Sequence, residues 1–247
     1  MHILIANDDG VNAQGIRHLA EAVAAKHDIT VIAPDRDMSG SSNSLTLTRP
    51  LRLIPQDNGY MALDGTPADC VHLGINGALD NQPDMVLAGI NHGPNLGDDI
   101  IYSGTVGAAM EGRFLDYPAI AVSLAGTEHF ATAAKIATRL LEAVDKLKLP
   151  PRCILNVNVP DLPYAEINGV QLTTLGNRHL GEPALAENDP RGHRCFWIGK
   201  LGTVADASPG TDFHAIANGY VAVTPIAPDM ANLSAFSSLS PWLEELL

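Results

Sequence analysis

Ile3-Leu4-Ile5-Ala6, followed at once by Asn7-Asp8-Asp9-Gly10, is the stretch that decides the fold of this chain. The apolar residues are typical of a buried β-strand, and the residues after them place two adjacent carboxylates at its carboxyl end. Open α/β sheets bind their ligands at that edge. The next predicted helix offers no cationic partner placed to neutralise both acids, so we expect Asp8 and Asp9 to bind a hard divalent cation.

Strand-like and helix-like segments alternate through the first two thirds of the chain. This βαβ rhythm predicts an α/β protein with a Rossmann-like, doubly wound, mostly parallel sheet. The best-marked helix start has Thr66 as N-cap and Pro67 at the first helical position. The predicted strands are Ile3–Ala6, Ile29–Ala33, Met85–Ala88, Ala119–Leu124 and Ile154–Val159, and the predicted helices are Ala13–Lys26, Pro67–Leu79, Thr105–Leu115 and Ala131–Leu147.

Two segments depart from this rhythm. Residues 45–53 and 60–63 are predicted to form a hairpin around the turn-rich Gln56-Asp57-Asn58-Gly59. Beyond residue 160, short alternating pieces precede a terminal helix near residues 234–246. We therefore divide the chain into a core, 1–160, and an extended C-terminal β-rich arm, 161–247. Because the arm lacks the apolar surface for its own core, we expect it to be exchanged between protomers in an oligomer.

The charge balance limits the partners of this protein. The formal net charge is -13, with 28 acidic residues against 15 lysines and arginines. This composition argues against a nucleic-acid polymer or an anionic membrane, because both require a basic surface. A small anionic substrate is compatible with it if a bound cation and helix N-termini supply the local positive potential.

The cysteines and the hydrophobic segments indicate the cellular compartment. Cys70, Cys153 and Cys195 are widely spaced and form no CxxC pair, as expected for reduced thiols. Asp8 and Asp9 interrupt the region where a signal peptide has its apolar core. No later stretch approaches the roughly 18 apolar residues of a membrane span. We expect a cytoplasmic protein.

Several polar clusters follow the predicted strands and would share one edge of the sheet. In chain order they are Asn7–Gly10, Pro34–Gly40, Gly89–Gly97 and Tyr102–Thr105. Together with Gly65-Thr66-Pro67, Asn156-Val157-Asn158-Val159-Pro160 and Gly210-Thr211-Asp212-Phe213, they resemble the SurE (survival protein) family of 5'-nucleotidases. The sequence departs from the family pattern at Asn12, Gln14 and His92, positions that bear on substrate preference.

The resemblance implies a metal-dependent phosphatase that acts on nucleoside monophosphates. It implies one divalent cation per subunit, Mg²⁺ or Mn²⁺, held by Asp8, Asp9, Ser39 and Asn91. It also implies a homodimer or homotetramer with exchanged C-terminal arms. The core, 1–160, would then be the phosphatase, and its substrate a small nucleotide.

Physical chemistry supports this ligand set. Two carboxylates, a hydroxyl and an amide oxygen are hard donors that leave positions for water and a phosphate oxygen. The cation would polarise the phosphoryl group and activate a water for in-line attack, giving nucleoside and phosphate. Either Asp8 or Asp9 would orient that water. The expected phosphate contacts are the amides of Gly104 and Thr105 at a helix start, with Asn43, Asn95 and Ser103.

Each assignment has an alternative. Asp8 and Asp9 could form a turn and cap the next helix, and Ser39, Ser103 and Thr105 could have structural roles in a loop and at a helix start. The glycine-rich segment 89–97 could be only a tight connection.

The absence of a P-loop and of GxGxxG argues against ATPases and dehydrogenases. A non-catalytic nucleotide sensor and a metal-dependent glycosyltransferase stay open, as do 3'-monophosphates and short polyphosphates as further substrates.

Overall fold

Residues 1–246 are described in the structure, which is a computed structural model. Strands and helices alternate as far as residue 160, and short strands dominate after it. The strands are β1 His2–Ala6, β2 Asp28–Pro34, β3 Leu53–Pro55, β4 Met61–Leu63, β5 Met85–His92, β6 Ile120–Ala125, β7 Ile154–Pro160, β8 Gly169–Leu172, β9 Asn177–Arg178, β10 Leu185–Asn188, β11 Arg194–Trp197, β12 Val204–Asp206 and β13 Tyr220–Ile226. The α-helices are α1 Gln14–Ala24, α2 Pro67–Ile75, α3 Gly104–Glu111, α4 Phe130–Ala143, α5 Asp212–Ala217 and α6 Phe236–Glu244.

Nine of the strands form one sheet in the order β3-β4-β2-β1-β5-β6-β7-β13-β8. The run from β4 to β7 is parallel throughout, and β13 also pairs in parallel with β8. Only the β3–β4 and β7–β13 pairs of this sheet are antiparallel. The prediction of an α/β protein with a mostly parallel sheet is confirmed.

Helices cover both faces of the sheet. Because side chains alternate along a strand, Ile3 and Ile5 pack in the cluster that contains α1 and α4, whereas Leu4 and Ala6 pack in the cluster with α2 and α3. All four side chains are fully buried. This three-layer arrangement fixes the carboxyl end of β1 at the edge of the sheet where the loops converge.

The predicted start of α2 is confirmed, but the helix is shorter than predicted. Thr66 and Asp69 form a reciprocal capping box, with Pro67 in the first turn. The helix ends at Ile75 because Asn76 leaves the helical conformation and Gly77 adopts a left-handed φ of 123°. Glycine at this position commonly ends a helix, since it adopts that conformation without a steric penalty.

The predicted hairpin is present, but its first strand begins later. β3 pairs with β4 across a turn in which Gly59 has a φ of 82°. Residues 45–52 form no strand, and acidic side chains hold the backbone at both ends of this segment. Asp69 accepts from the backbone of Thr46, and Asp64 accepts from the backbone of Arg52.

The region beyond residue 160 contributes to the main sheet and also projects from it. β13, Tyr220–Ile226, lies between β7 and β8. β10 and β11 form a separate antiparallel ladder with exposed side chains, and β9 pairs with β12. The terminal helix α6 has no buried residue. The division into two regions at residue 160 stays a prediction.

The structure also describes the thiols and the lengths of the helices. Cys70, Cys153 and Cys195 are all free thiols. Among residues 1–246, the helices are too short and too polar for any of them to traverse a lipid bilayer.

Candidate active site

Asp8 lies at the end of β1, beside the start of α3. β1 and β5 are parallel neighbours with Ala6 opposite Ala88, so the residues that follow both strands meet at one edge. The Asp8 carboxylate accepts a hydrogen bond from the hydroxyl of Thr105, and the backbone amides of Thr105 and Gly104 also stabilise it. Burial nevertheless raises the pKa of Asp8 above its ordinary value of 3.8.

Asp9 is less deeply buried than Asp8 and is held from the β5 side. Its Oδ2 accepts a hydrogen bond of 3.1 Å from the backbone N–H of His92, whose ring Nδ1 lies 4.0 Å from Oδ1. Burial, with repulsion from the neighbouring Asp8 carboxylate, raises the pKa of Asp9 to about 6. Two close acids without a strong cationic partner are the kind of pair that a bound cation stabilises.

Asn91 brings an amide oxygen to the same place. Its Nδ2 donates to the carbonyl oxygen of Gly93 at 2.8 Å. Its Oδ1 lies 3.5 Å from the Thr105 hydroxyl that donates to Asp8. The side chain is 9% exposed. Asp8 and Asn91 therefore meet at Thr105, and Asp9 contacts His92, the residue after Asn91.

The structure decides between the helix-cap alternatives. The helix after Asp8 and Asp9 is α1, whose N-cap is Ala13, and no side chain caps it. The cap interpretation is therefore wrong for the two acids. It is correct for Ser103, whose hydroxyl accepts from the N–H of Val106 at the start of α3. A hydroxyl that accepts a hydrogen bond still has its own proton to donate to a ligand.

Ser39 lies on the loop after β2, at the rim of the site. Its hydroxyl donates to Asp37 Oδ1 at 2.6 Å, and this contact lowers the pKa of Asp37. The N–H of Met38 donates to the carbonyl oxygen of Asp8 at 2.8 Å, which ties the loop to β1. The Ser39 oxygen keeps lone pairs for a ligand, but no contact joins it to Asp8, Asp9 or Asn91 within the described residues.

The same loop continues along the first turns of α3. A Cβ on Gly104 would lie 2.7 Å from the hydroxyl of Ser41, and a Cβ on Gly107 would lie 2.6 Å from Oδ1 of Asn43. The close approach therefore requires glycine at both positions. The Ser41 hydroxyl is buried and has no hydrogen-bond partner in the described structure. The sequence analysis did not select Ser41, because serine is common in loops.

Asn95 is held by side chains of the neighbouring strands β6 and β7. Its backbone N–H donates to Asn158 Oδ1, and its carbonyl oxygen accepts from the side chains of Asn156 and Asn158. Its own amide donates to the hydroxyl of Ser123 at 2.8 Å. These contacts fix the loop that follows Asn91. In the sequence, the two asparagines at alternate positions of the buried strand β7 are the only sign of this contact with Asn95.

Asp212 fixes the other end of the same loop from the C-terminal region. It is fully buried, and its carboxylate accepts from the N–H of Gly97 at 2.7 Å and from that of Gly176 at 2.9 Å. The 3₁₀ helix from Gly97 to Tyr102 leads directly into Ser103 and α3. Asp212 therefore links the C-terminal region to the segment that presents Gly104 and Thr105.

The donor set fits a hard divalent cation. Asp8, Asp9 and Asn91 offer oxygens, and burial raises the pKa values of both acids, with repulsion from Asp8 adding to the rise for Asp9. Within residues 1–246, no cluster of three or more His, Cys, Asp or Glu side chains could hold a metal ion. This result excludes sites built only from those residue types, whereas the candidate set here includes serine and asparagine.

Comparisons with known proteins identify the family of this chain. The family model described as Survival protein SurE matches residues 3–182, which contain Asp8, Asp9, Ser39, Asn91 and Thr105. The chain belongs to the SurE family. A crystal structure of the SurE protein from Aquifex aeolicus matches with a TM-score of 0.84 and 43% identity, covering 99% of this chain and 100% of that one.

Relatives in the SurE family are similar over their full length. The protein named 5'-nucleotidase SurE from Methylococcus capsulatus is 56% identical over 245 residues, covering 98% of both chains. The protein of the same name from Nitrosococcus oceani is 54% identical over 248 residues, covering 100% of this chain and 99% of that one. The similarity therefore extends through the C-terminal region as well as the core.

Proposed function

We propose that the protein is a metal-dependent 5'-nucleotidase, which hydrolyses nucleoside 5'-monophosphates to nucleoside and phosphate. The observation that carries this proposal is that Asp8 and Asn91 meet at the Thr105 hydroxyl beside the N-terminus of α3, with the buried carboxylate of Asp9 next to Asp8. The name 5'-nucleotidase SurE, printed for relatives at 56% and 54% identity, supports the choice of substrate.

Asp8, Asp9, Asn91 and Ser39 are the proposed ligands of one Mg²⁺ or Mn²⁺ per subunit. Such a cation polarises a phosphoryl oxygen and lowers the pKa of a bound water. The protein's own groups then position the substrate. Gly104 and Thr105 offer amides at the start of α3, and Asn43, Asn95 and Ser103 supply or support the surrounding polar contacts.

The test is phosphate release by the purified protein from a panel of nucleoside 5'-monophosphates with added Mn²⁺ or Mg²⁺. We expect turnover that chelation abolishes, and a strong loss in Asp9→Asn with the fold retained by circular dichroism. Asp57→Asn, in the exposed hairpin turn, is the matched control and should behave as the wild type. Tight nucleotide binding without phosphate release would instead identify a nucleotide sensor. Adding 3'-monophosphates and short polyphosphates to the panel defines the range of substrates.

Attack by water is the proposed chemistry, since Asp8 and Asp9 are adjacent and lack the spacing of a nucleophilic aspartate with a second aspartate two residues on. Hydrolysis of a substrate made chiral at phosphorus with oxygen isotopes should invert the configuration, because direct attack is a single in-line displacement. Retention would indicate two displacements through an acyl-phosphate on the enzyme and contradict direct attack.

A homodimer or homotetramer with exchanged C-terminal arms is the proposed assembly. The residues of α6 are all exposed in the single chain, including Phe236 and Trp242 at 57% and 54% exposure. Exposed apolar surface of this kind is typical of protein interfaces. We expect light scattering to give a dimer or tetramer for the full chain and a smaller species after deletion of residues 227–247. The cytoplasm stays the expected location, in line with the three free thiols.

A further inference from the structure

The segment of residues 39–46, called the substrate loop here, carries Ser39 and Asn43, the proposed metal ligand and phosphate contact. Between them Ser42 has a φ of 57°, in the left-handed region. A residue other than glycine costs free energy in this conformation and keeps it only where surrounding contacts hold the backbone. The conformation of the substrate loop therefore depends on the groups to which it is attached.

The start and the middle of the substrate loop are attached to elements of the site itself. Just before the loop, the N–H of Met38 donates to the carbonyl oxygen of Asp8 at 2.8 Å. In the middle, Ser42 donates from its N–H to the carbonyl oxygen of Tyr102 at 3.0 Å and from its hydroxyl to that of Ile101 at 2.6 Å. The end that follows Asn43 is fixed by a different element.

That end is attached to the capping box of α2. The Thr66 hydroxyl accepts from the N–H of Asp69, as an N-cap does, and donates its own proton to the carbonyl oxygen of Ser44 at 2.6 Å. Asp69 accepts from the N–H of Thr46 at 2.8 Å and from its hydroxyl at 2.6 Å. Thr66 and Asp69 are both buried, at 8% and 3% exposure. A capping box requires none of the bonds to Ser44 and Thr46, because its own two bonds lie within the helix start.

The capping box also lies beside the proposed phosphate site. A Cβ on Gly104, the first residue of α3, would lie 2.9 Å from Cγ of Pro67, the first residue of α2. The starts of the two helices are therefore in contact. Since Asn43 lies against Gly107 in the first turn of α3, the attachment to α2 holds Asn43 at the phosphate end of that helix.

We propose that Thr66 and Asp69 are positioning residues, which hold the substrate loop so that Asn43 faces the phosphate-binding start of α3. They act through Ser44 and Thr46 and do not touch the substrate themselves. This assignment rests on the proposed nucleotidase function. It gives the capping box of α2 a part in substrate binding as well as in starting the helix.

The test removes the attachment from each side and measures the hydrolysis of adenosine 5'-monophosphate. Thr66→Val deletes the hydroxyl that donates to Ser44, whereas Thr46→Val deletes a hydroxyl of the loop and leaves the capping box intact. In both variants KM should rise about tenfold with kcat nearly unchanged, as expected from the loss of one hydrogen bond that supports substrate binding. Thr66→Ser should retain the wild-type KM, because serine keeps the hydroxyl.

Thr132→Val is the matched control, since it removes a buried threonine hydroxyl of α4 that donates to the carbonyl oxygen of Leu162 at 2.9 Å. It should lose stability in urea denaturation but keep the wild-type KM. A wild-type KM in either Thr66→Val or Thr46→Val would overturn the proposal, and so would a raised KM in Thr66→Ser. If Thr66→Val does not fold, Thr46→Val decides the question.

Failure of the proposed function gives a different result from failure of this assignment. If the wild type releases phosphate from no nucleotide, the nucleotidase proposal fails, and hydrogen exchange then tests the attachment without turnover. In the metal-free protein, the amides of residues 41–46 should exchange about tenfold faster in Thr66→Val and Thr46→Val than in the wild type and Thr132→Val. Equal exchange rates would overturn the proposal.

Discussion

Asp9 combines burial with a close acidic neighbour, so its ionisation is coupled to folding. Its pKa is raised from 3.8 to about 6 in the metal-free protein. Folding therefore favours the neutral form of Asp9 relative to the unfolded chain. The resulting stabilisation is fully present below the pKa of the unfolded chain and is lost as the pH rises through about 6.

We predict that Asp9→Asn removes this pH dependence. In the presence of a chelator, the free energy of unfolding of the variant relative to the wild type should increase from pH 4 to pH 7, measured by urea denaturation. Asp57→Asn should follow the wild type at every pH. A constant difference between Asp9→Asn and the wild type across this range would contradict the prediction.

Ser41 is the second side chain whose environment predicts a measurable effect. Its buried hydroxyl has no partner and lies against Gly104. A hydrogen bond to a charged phosphate oxygen contributes about 1.5–3 kcal/mol, so Ser41→Ala should lower kcat/KM for nucleotides by about tenfold or more. Ser237→Ala, on the exposed helix α6, is the control. Unchanged kinetics in Ser41→Ala would remove Ser41 from the phosphate site.

At the scale of secondary-structure elements, α1 is pressed against the end of β5. A Cβ on Gly15 would lie 1.9 Å from the carbonyl oxygen of Ile90. Replacing glycine by alanine in a helix usually stabilises it by up to about 1 kcal/mol. Here we expect the opposite sign, because the helix would have to move away from the strand that carries Asn91.

Gly15→Ala should therefore destabilise the protein by about 1–3 kcal/mol, the usual range for overpacking. Urea denaturation measures the change, and Arg17→Ala, at an exposed position of the same helix, should stay within about 0.5 kcal/mol of the wild type. Equal or greater stability in Gly15→Ala would show that α1 and β5 are not in this close contact.

Asp212 connects three segments that are distant in sequence. Asp212→Asn retains one carbonyl oxygen but replaces the other acceptor with a donor, so either Gly97 or Gly176 loses a partner for its N–H. We expect a loss of about 1–3 kcal/mol in the free energy of unfolding, together with reduced nucleotidase activity. Asp80→Asn is the exposed control, and a variant as stable as the wild type would contradict this positioning function.

The fold was largely predictable because its signals are local. The apolar run of β1 and the capping residues of α2 each lie within a few residues of the element they determine. The proximity of Asp8 and Asn91 was predictable for a related reason, since parallel strands end at one edge.

The contacts that hold the site were not predictable in the same way. Asn95 is fixed by Asn156 and Asn158, more than sixty positions along the chain. The first hairpin strand was placed too early because its backbone is held by Asp64 and Asp69 instead. Such pairings depend on the three-dimensional fold, and the periodicity of a short stretch of sequence does not predict them.

For the whole molecule, burial determines which thiols react. Burial raises the pKa of Cys70 well above its ordinary value, which reduces the thiolate fraction, whereas Cys195 is exposed. We predict that iodoacetamide at pH 8 modifies Cys195 in the native protein and leaves Cys70 intact, as measured by peptide mass spectrometry. In denaturing urea both should react. Similar rates for the two thiols in the native protein would contradict the packing around α2.

The position of β13 between β7 and β8 has a consequence during translation. β7 ends at Pro160, but its neighbour is complete only when residue 226 has left the ribosome. In the interval β7 presents an open edge, and such edges readily pair with strands of other chains. An incomplete chain therefore exposes the edge of β7 to pairing with another copy until residues 220–226 are available to cover it.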